Sequence, residues 1–226
     1  MGLHIYCIVP AGHPVPDDCF GIDARRPFIV NAGRLAAWAT EHDTRPVPSI
    51  AAIRSHNDVV SAAMTPRVTP VPMRFGQWFA DREGAAEVIE QEEAKWTDLL
   101  KRFAGRAEYG VRALRPEPDA ERDVRPAAPQ SGRQFMAALA HRQAQAADRR
   151  EEGERIAAAI AARLSGLIED RRAEFGGGDT LLVTLAHLVA WTAADAYHGG
   201  MSEVRATAQD TRFVLTGPWA PWSFVE

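Results

Sequence analysis

The sequence predicts an α+β protein divided into two small domains. Strand-like runs alternate with two helical runs before residue 115. A stretch rich in proline and charge then interrupts the pattern, and beyond it come a long Ala/Arg/Glu-rich helical run and further strands. With 226 residues, 46% of them hydrophobic, the chain can bury a sizeable core, and its length fits one large domain or two small ones. Arg115–Gln130 favours two, because Pro116, Pro118, Pro126 and Pro129 sit there among charges with almost nothing to bury. The expected division is residues 1–114, a linker over 115–130, and residues 131–226.

Leu3–Val9 carries bulky and β-branched residues and stops at Pro10, which predicts a first strand followed by a turn-rich loop to Asp23. Phe28–Val30 and Arg34–Thr40 read as two more extended pieces, although the alanines of the second also suit a helix. From Ser49, a natural N-cap, Ile50, Ile53, Val59, Val60 and Met64 recur at helical spacing until Pro66. Val68–Met73 fits a short strand whose prolines confine it to an edge or to strand ends. A second helix starts near Asp81, with Val88, Ile89, Trp96, Leu99, Leu100 and Phe103 on one stripe, and Gly105 ends it. Ala107–Leu114 supplies another strand.

Gly132–Phe175 reads as helical, with Phe135 and Leu139 at one end and Ile156, Ile160, Leu164 and Ile168 at steps of four. Between those ends its apolar face is mostly alanine, so the helix either projects from the domain or breaks near Gly153. Leu181–Trp191 reads as a strand, a helix comes next around Ser202–Ala208, and Phe213–Leu215 closes the second sheet.

Twenty-six basic and thirty acidic side chains leave a formal charge of -4, too mild for a protein that binds nucleic acid by charge. Two cysteines, Cys7 and Cys19, with no Cys-x-x-Cys and no histidine cluster, indicate neither a disulfide framework nor a metal site. Reduced thiols and a cytoplasmic location are the expectation. No transmembrane segment is expected, because the most apolar stretch, Leu181–Trp191, falls well short of the roughly 20 residues a spanning helix needs. No cofactor motif occurs either: Gly176–Gly178 comes after a helix where a phosphate loop would precede one.

Two strings stand out. Pro72-Met73-Arg74-Phe75-Gly76-Gln77-Trp78-Phe79 groups a guanidinium, two phenyl rings and an indole around a glycine turn. Such a group suits an interface anchor, and it equally suits a core cap with Arg74 paired to a helix carboxylate. Leu215-Thr216-Gly217-Pro218-Trp219-Ala220-Pro221-Trp222-Ser223-Phe224-Val225 is held extended by its prolines, and its indoles must bury on their own domain or on a partner. The partner-binding candidates are therefore Arg74, Phe75, Trp78, Phe79, Trp219, Trp222 and Phe224.

Together the strings resemble the gas vesicle F/L family, in which a Pro-Met-Arg-Phe-Gly block follows a strand and a Gly-Pro-Trp-x-Pro-aromatic-x-Phe block comes last. The resemblance extends to the Leu3–Ile8 strand and to His56-Asn57-Asp58-Val59-Val60, and covers nearly the whole chain. Val71, Gln77-Trp78 and Trp222 are conservative departures, and the F and L paralogues stay undistinguished. The resemblance implies two α+β domains, the first ferredoxin-like. It also implies a minor gas vesicle component, made in the cytoplasm, that binds the major gas vesicle shell protein and keeps it from aggregating during nucleation. A scaffold among other minor gas vesicle proteins is the alternative.

An enzyme would have to use His56 with Asp58 for proton transfer and Arg74 to hold an anion. A histidine on a surface helix is usually only that, so no catalytic residue is assigned. A shell-forming subunit is disfavoured by a mean hydropathy of -0.24.

Overall fold

A computed structural model describes residues 1–116, 131–178 and 180–225. Most of the expected linker, from residue 117 onward, lies outside them. The chain forms two compact units, Met1–Glu108 with Pro218–Glu226, and Tyr109–Gly217. The last segment thus belongs with the first unit, whereas the sequence reading placed it in the second.

The first unit is built on β1 (Gly2–Pro10), which lies inside a sheet of order β2-β3-β1-β4, where β2 is Phe28–Ala32, β3 is Leu35–His42 and β4 is Val71–Pro72. A further short strand, β5 (Trp78–Phe79), also pairs with β1. All these pairings are antiparallel. Central placement explains why β1 is buried from Gly2 to Val9 without alternation. Its register against β3 slips between Ile5 and Cys7, so that Tyr6 is an extra residue. Such a bulge re-aims a side chain: the Tyr6 hydroxyl meets Thr40 Oγ1 at 2.8 Å and accepts the Ile22 amide at 3.0 Å.

Helix α1 (Ile50–Ala62) starts where expected, with the Ser49 side chain accepting the Ala52 amide. Its buried face is His56, Val59 and Val60, continued by Ala63, while Ile50 and Ile53 are 82% and 43% exposed. Ile50 and Ile53 were expected on the inner stripe, and the histidine holds that place instead. The single helix expected after Asp81 is two, α2 (Arg82–Gln91) and α3 (Glu93–Phe103), broken at Glu92. Ile89, Trp96, Leu100 and Phe103 are buried as anticipated, whereas Val88 is 43% exposed.

The second unit holds a sheet of order β7-β8-β6-β9, with β6 at Arg106–Leu114, β7 at Ile168–Phe175, β8 at Leu181–Ala190 and β9 at Arg212–Trp219. Helix α4 (Gly132–Arg163) packs on β7 and β8, and α5 (Ala194–Thr207) packs on α4 and β8. The helix expected to run to Phe175 stops at Arg163. Ile168–Phe175 is a strand because it pairs with β8, Ile168 opposite Val189 and Phe175 opposite Val183. Its Glu, Arg and Ala residues read as helix formers, and strand pairing overrode that propensity.

No break occurs at Gly153. A Cβ there would come within 2.5 Å of the Leu182 carbonyl oxygen, so glycine lets the helix backbone lie against β8. Only Gly153, Ile156 and Ile160 of α4 are buried, and Phe135 and Met136 near its start are 49% and 62% exposed. Helix α5 begins well before Ser202. Gly199 and Gly200 mask its pattern in the sequence, although Tyr197, Met201 and Val204 form its buried face.

Candidate functional site

The first aromatic block wraps along β1. Val71 and Pro72 pair with Ile8 and Cys7, Phe79 and Trp78 pair with Leu3 and His4, and the residues between them turn outward. The turn is closed by the Gln77 amide donating to the Arg74 carbonyl at 3.3 Å, with Gly76 at φ 88 in the position that needs a left-handed residue. Arg45 donates to the Gly76 carbonyl and pins the turn from outside.

Beneath the turn lies a pair of buried imidazoles. His56 Nε2 is 2.9 Å from the Met73 carbonyl and His56 Nδ1 is 2.8 Å from His4 Nε2. A carbonyl only accepts, so His56 Nε2 carries a proton; Nδ1 of the neutral ring then accepts from His4 Nε2–H. This leaves His4 Nδ1 as a bare acceptor, and it has no hydrogen-bond partner among the described residues. Burial lowers His4 to about 3, with the charges of His56, His42 and Arg45 adding to the effect, and lowers His56 to about 4 against the opposing Met73 bond. Phe75 packs on both rings, at 5.1 Å from His4 and 5.7 Å from His56.

The second block arrives at the same place. Trp222 lies 5.7 Å from His56, and Ala220, Pro221 and Phe224 are buried. Its anchor is Glu108, which accepts the Ser223 amide at 2.8 Å and the Ser223 hydroxyl at 2.7 Å. Burial raises the Glu108 carboxyl, while these two bonds oppose the rise by stabilising the ionised form. The sequence reading missed Glu108, although a lone carboxylate inside the apolar run Ala107–Ala113 was a usable signal. It also left this block to bury on its own domain or on a partner; the residues it meets belong to the first unit.

The two blocks border an open pocket of about 300 Å³, lined by Pro72, Met73, Arg74, Gln77, Trp96, Trp222 and Val225. Arg74 is exposed at this rim and Trp222 is half-buried. Trp96, anticipated only as a core residue, lines it too; its indole Nε1 is buried with no acceptor among the described residues. Of the other candidates, Phe75 supports the site from below, Phe224 is fully buried, and Trp78 and Phe79 are half-buried in β5. Trp219 is 43% exposed and does not line the pocket.

The alternative built on His56, Asp58 and Arg74 meets a geometric obstacle. Both His56 ring nitrogens are engaged, the ring does not line the pocket beside Arg74, and Asp58 is exposed while His56 is buried. Proton transfer needs a free nitrogen within reach of substrate. Among the described residues no group of three or more His, Cys, Asp and Glu could hold a metal ion, and no helix is long and apolar enough to cross a membrane.

Fold and site together define a two-unit α+β protein whose two aromatic blocks, far apart in sequence, meet on one unit. The chain belongs to the gas vesicle synthesis protein GvpL/GvpF family, which matches it over residues 2–226. It is 26% identical to gas vesicle protein F2 of Halobacterium salinarum, over 99% of this chain and 92% of that protein. It is 28% identical to gas vesicle protein L of a Streptomyces species, over 98% of this chain and 91% of that one. Its fold is similar to the crystal structure of GvpF from an Anabaena species, with a TM-score of 0.78 at 20% identity over 100% of this chain and 96% of that one. GvpF from Microcystis aeruginosa is also similar, with a TM-score of 0.75 at 16% identity over 100% and 99% of the two chains.

Proposed function

We propose that this gas vesicle component binds the major shell protein and keeps it from aggregating while the vesicle nucleates, through the surface where the two aromatic blocks meet. The observation that carries this reading is the meeting of Arg74, Trp96 and Trp222 at one open pocket. A guanidinium beside two indoles is the composition of an interface anchor, offering a large contact area with little side-chain freedom to lose. An apolar shell subunit left uncovered aggregates by the same burial that later drives its assembly. A partner held at this pocket covers that surface until incorporation, and the reading places the protein in the cytoplasm with the growing vesicle.

Co-expression with the major shell protein tests the proposal. The shell protein is expected to stay in the supernatant and to co-purify, and Arg74→Glu is expected to abolish both while leaving the circular dichroism of the chain unchanged. An unchanged soluble fraction with no complex overturns the proposal. Capture of other minor gas vesicle proteins in its place would make the protein a scaffold among them.

A further inference from the structure

The second unit carries a feature apart from the Arg74 pocket, on the strand whose last residues open the second aromatic block. Strand β9 ends the sheet order β7-β8-β6-β9, so one side of it has no strand neighbour among the described residues. A groove of about 480 Å³ runs along that strand, lined by Arg205, Thr211, Arg212, Phe213, Val214 and Leu215. Arg205 Nη2 donates to the Phe213 carbonyl at 3.1 Å, which marks that carbonyl as pointing away from β6. Amide and carbonyl of one strand residue point the same way and alternate along the strand, so Leu215 presents both on the open side as well.

Proteins blunt such edges with charge. Strand β7, at the opposite edge, is blunted in this way by Glu169, Asp170, Arg171, Arg172 and Glu174. Phe213–Gly217 of β9 has no charged side chain. The charged side chains that line its groove are both basic: Arg205 and Arg212 have no carboxylate partner among the described residues, and no acidic residue lines the groove. Phe213 also lines a neighbouring cleft of about 290 Å³ with Ile156, Ala159 and Val204, where Glu203 is paired with Arg163 and Arg155 has no carboxylate partner among the described residues.

We infer that β9 is a docking edge for an extended, acidic segment of another protein, which adds a strand beside Phe213–Gly217, sets an apolar side chain over the α4–α5 cleft, and pairs its carboxylates with Arg205 and Arg212. Backbone bonds to the open edge supply affinity and alternate side chains supply selectivity. A second copy of this chain is the poorer occupant, because it brings two more arginines to a groove without acids, and Pro218 at its strand end has no amide to donate. The inference does not depend on the shell protein or on the Arg74 pocket.

The test uses the full chain and a short dye-labelled peptide of alternating valine and threonine with an aspartate at each end, monitored by fluorescence anisotropy. That peptide is expected to bind about tenfold tighter than the same peptide ended by lysines, a preference that salt reduces. The double variant Arg205→Gln with Arg212→Gln is expected to erase this preference. A peptide N-methylated at alternate amides is expected not to bind, which tests backbone pairing without altering the protein. Equal binding of the methylated peptide, absence of saturable binding, or a dimer in sedimentation that the aspartate peptide cannot dissociate each overturns the inference.

Discussion

The three most strongly perturbed imidazoles are held neutral by their surroundings. His4 is lowered to about 3, His56 to about 4 and His187 to about 4, burial being the first cause in each. All three stand below the value of about 6.5 expected of the unfolded chain. Their neutral burial therefore stabilises the fold fully above pH 6.5. Stability is lost as pH falls from there toward the folded values, because the unfolded chain takes up protons that the native one refuses. At pH 5 each such histidine costs about 2 kcal/mol, by order of magnitude. A urea midpoint that falls clearly between pH 7.5 and pH 5 is expected, and a midpoint constant over that range would refute the neutral burial of these rings. In the sequence His56 read as an exposed helix residue. Its burial depends on His4 and Met73, brought beside it by strand pairing, which helical periodicity does not register.

Glu108 belongs at the same scale. Replacing it by Leu leaves the Ser223 amide and hydroxyl without their acceptor, a loss of about 2 kcal/mol or more. Glu108→Gln keeps an oxygen for the amide and an N–H for the hydroxyl, so it is expected to be mild. Limited proteolysis after residue 217 reports the difference: faster cleavage in the Leu variant, near wild-type behaviour in the Gln variant. Equal protection in both would show that the clamp is not what holds the segment.

Among elements, helix α4 and strand β7 are the most instructive. Alanine normally favours a helix over glycine by about 1 kcal/mol. At residue 153 the expected sign is reversed, because the added methyl meets the Leu182 carbonyl oxygen at 2.5 Å, and neither backbone can yield cheaply. Gly153→Ala is expected to destabilise the second unit by about 2 kcal/mol, read as a lower urea midpoint with unchanged helix content. A rise in the midpoint would mean that helix and sheet are not in contact there. The sequence exposed the strand at β8, the cap of α1 and the start of α2, because runs of apolar residues and a capping side chain are local signals. It hid β7, whose charged residues suit a helix until a neighbouring strand supplies its ladder.

For the whole molecule, the α+β class, a division in two and the two aromatic blocks were legible, since element types and motif order survive without coordinates; the boundaries were not, because the first unit ends at Glu108, ahead of the compositional break at Arg115, and resumes at Pro218. The meeting of the blocks was not, because pairs so far apart in sequence leave no periodic trace. The closing segment contributes Ala220, Pro221 and Phe224 to the buried interior of the first unit. Removing residues 218–226 should therefore damage the first unit, with loss of its thermal transition or its conversion to aggregate; a normal transition in the shortened chain would contradict this.

The return of Pro218–Val225 to the first unit also bears on how the protein is made. Translation delivers residues 1–108 early, and a self-contained amino-terminal unit could close at once. This one must wait, with Glu108 unmatched and the ground beneath Trp222 uncovered, until everything through Val225 has left the ribosome. A premature stop after residue 217 would thus spoil the part of the protein synthesised first.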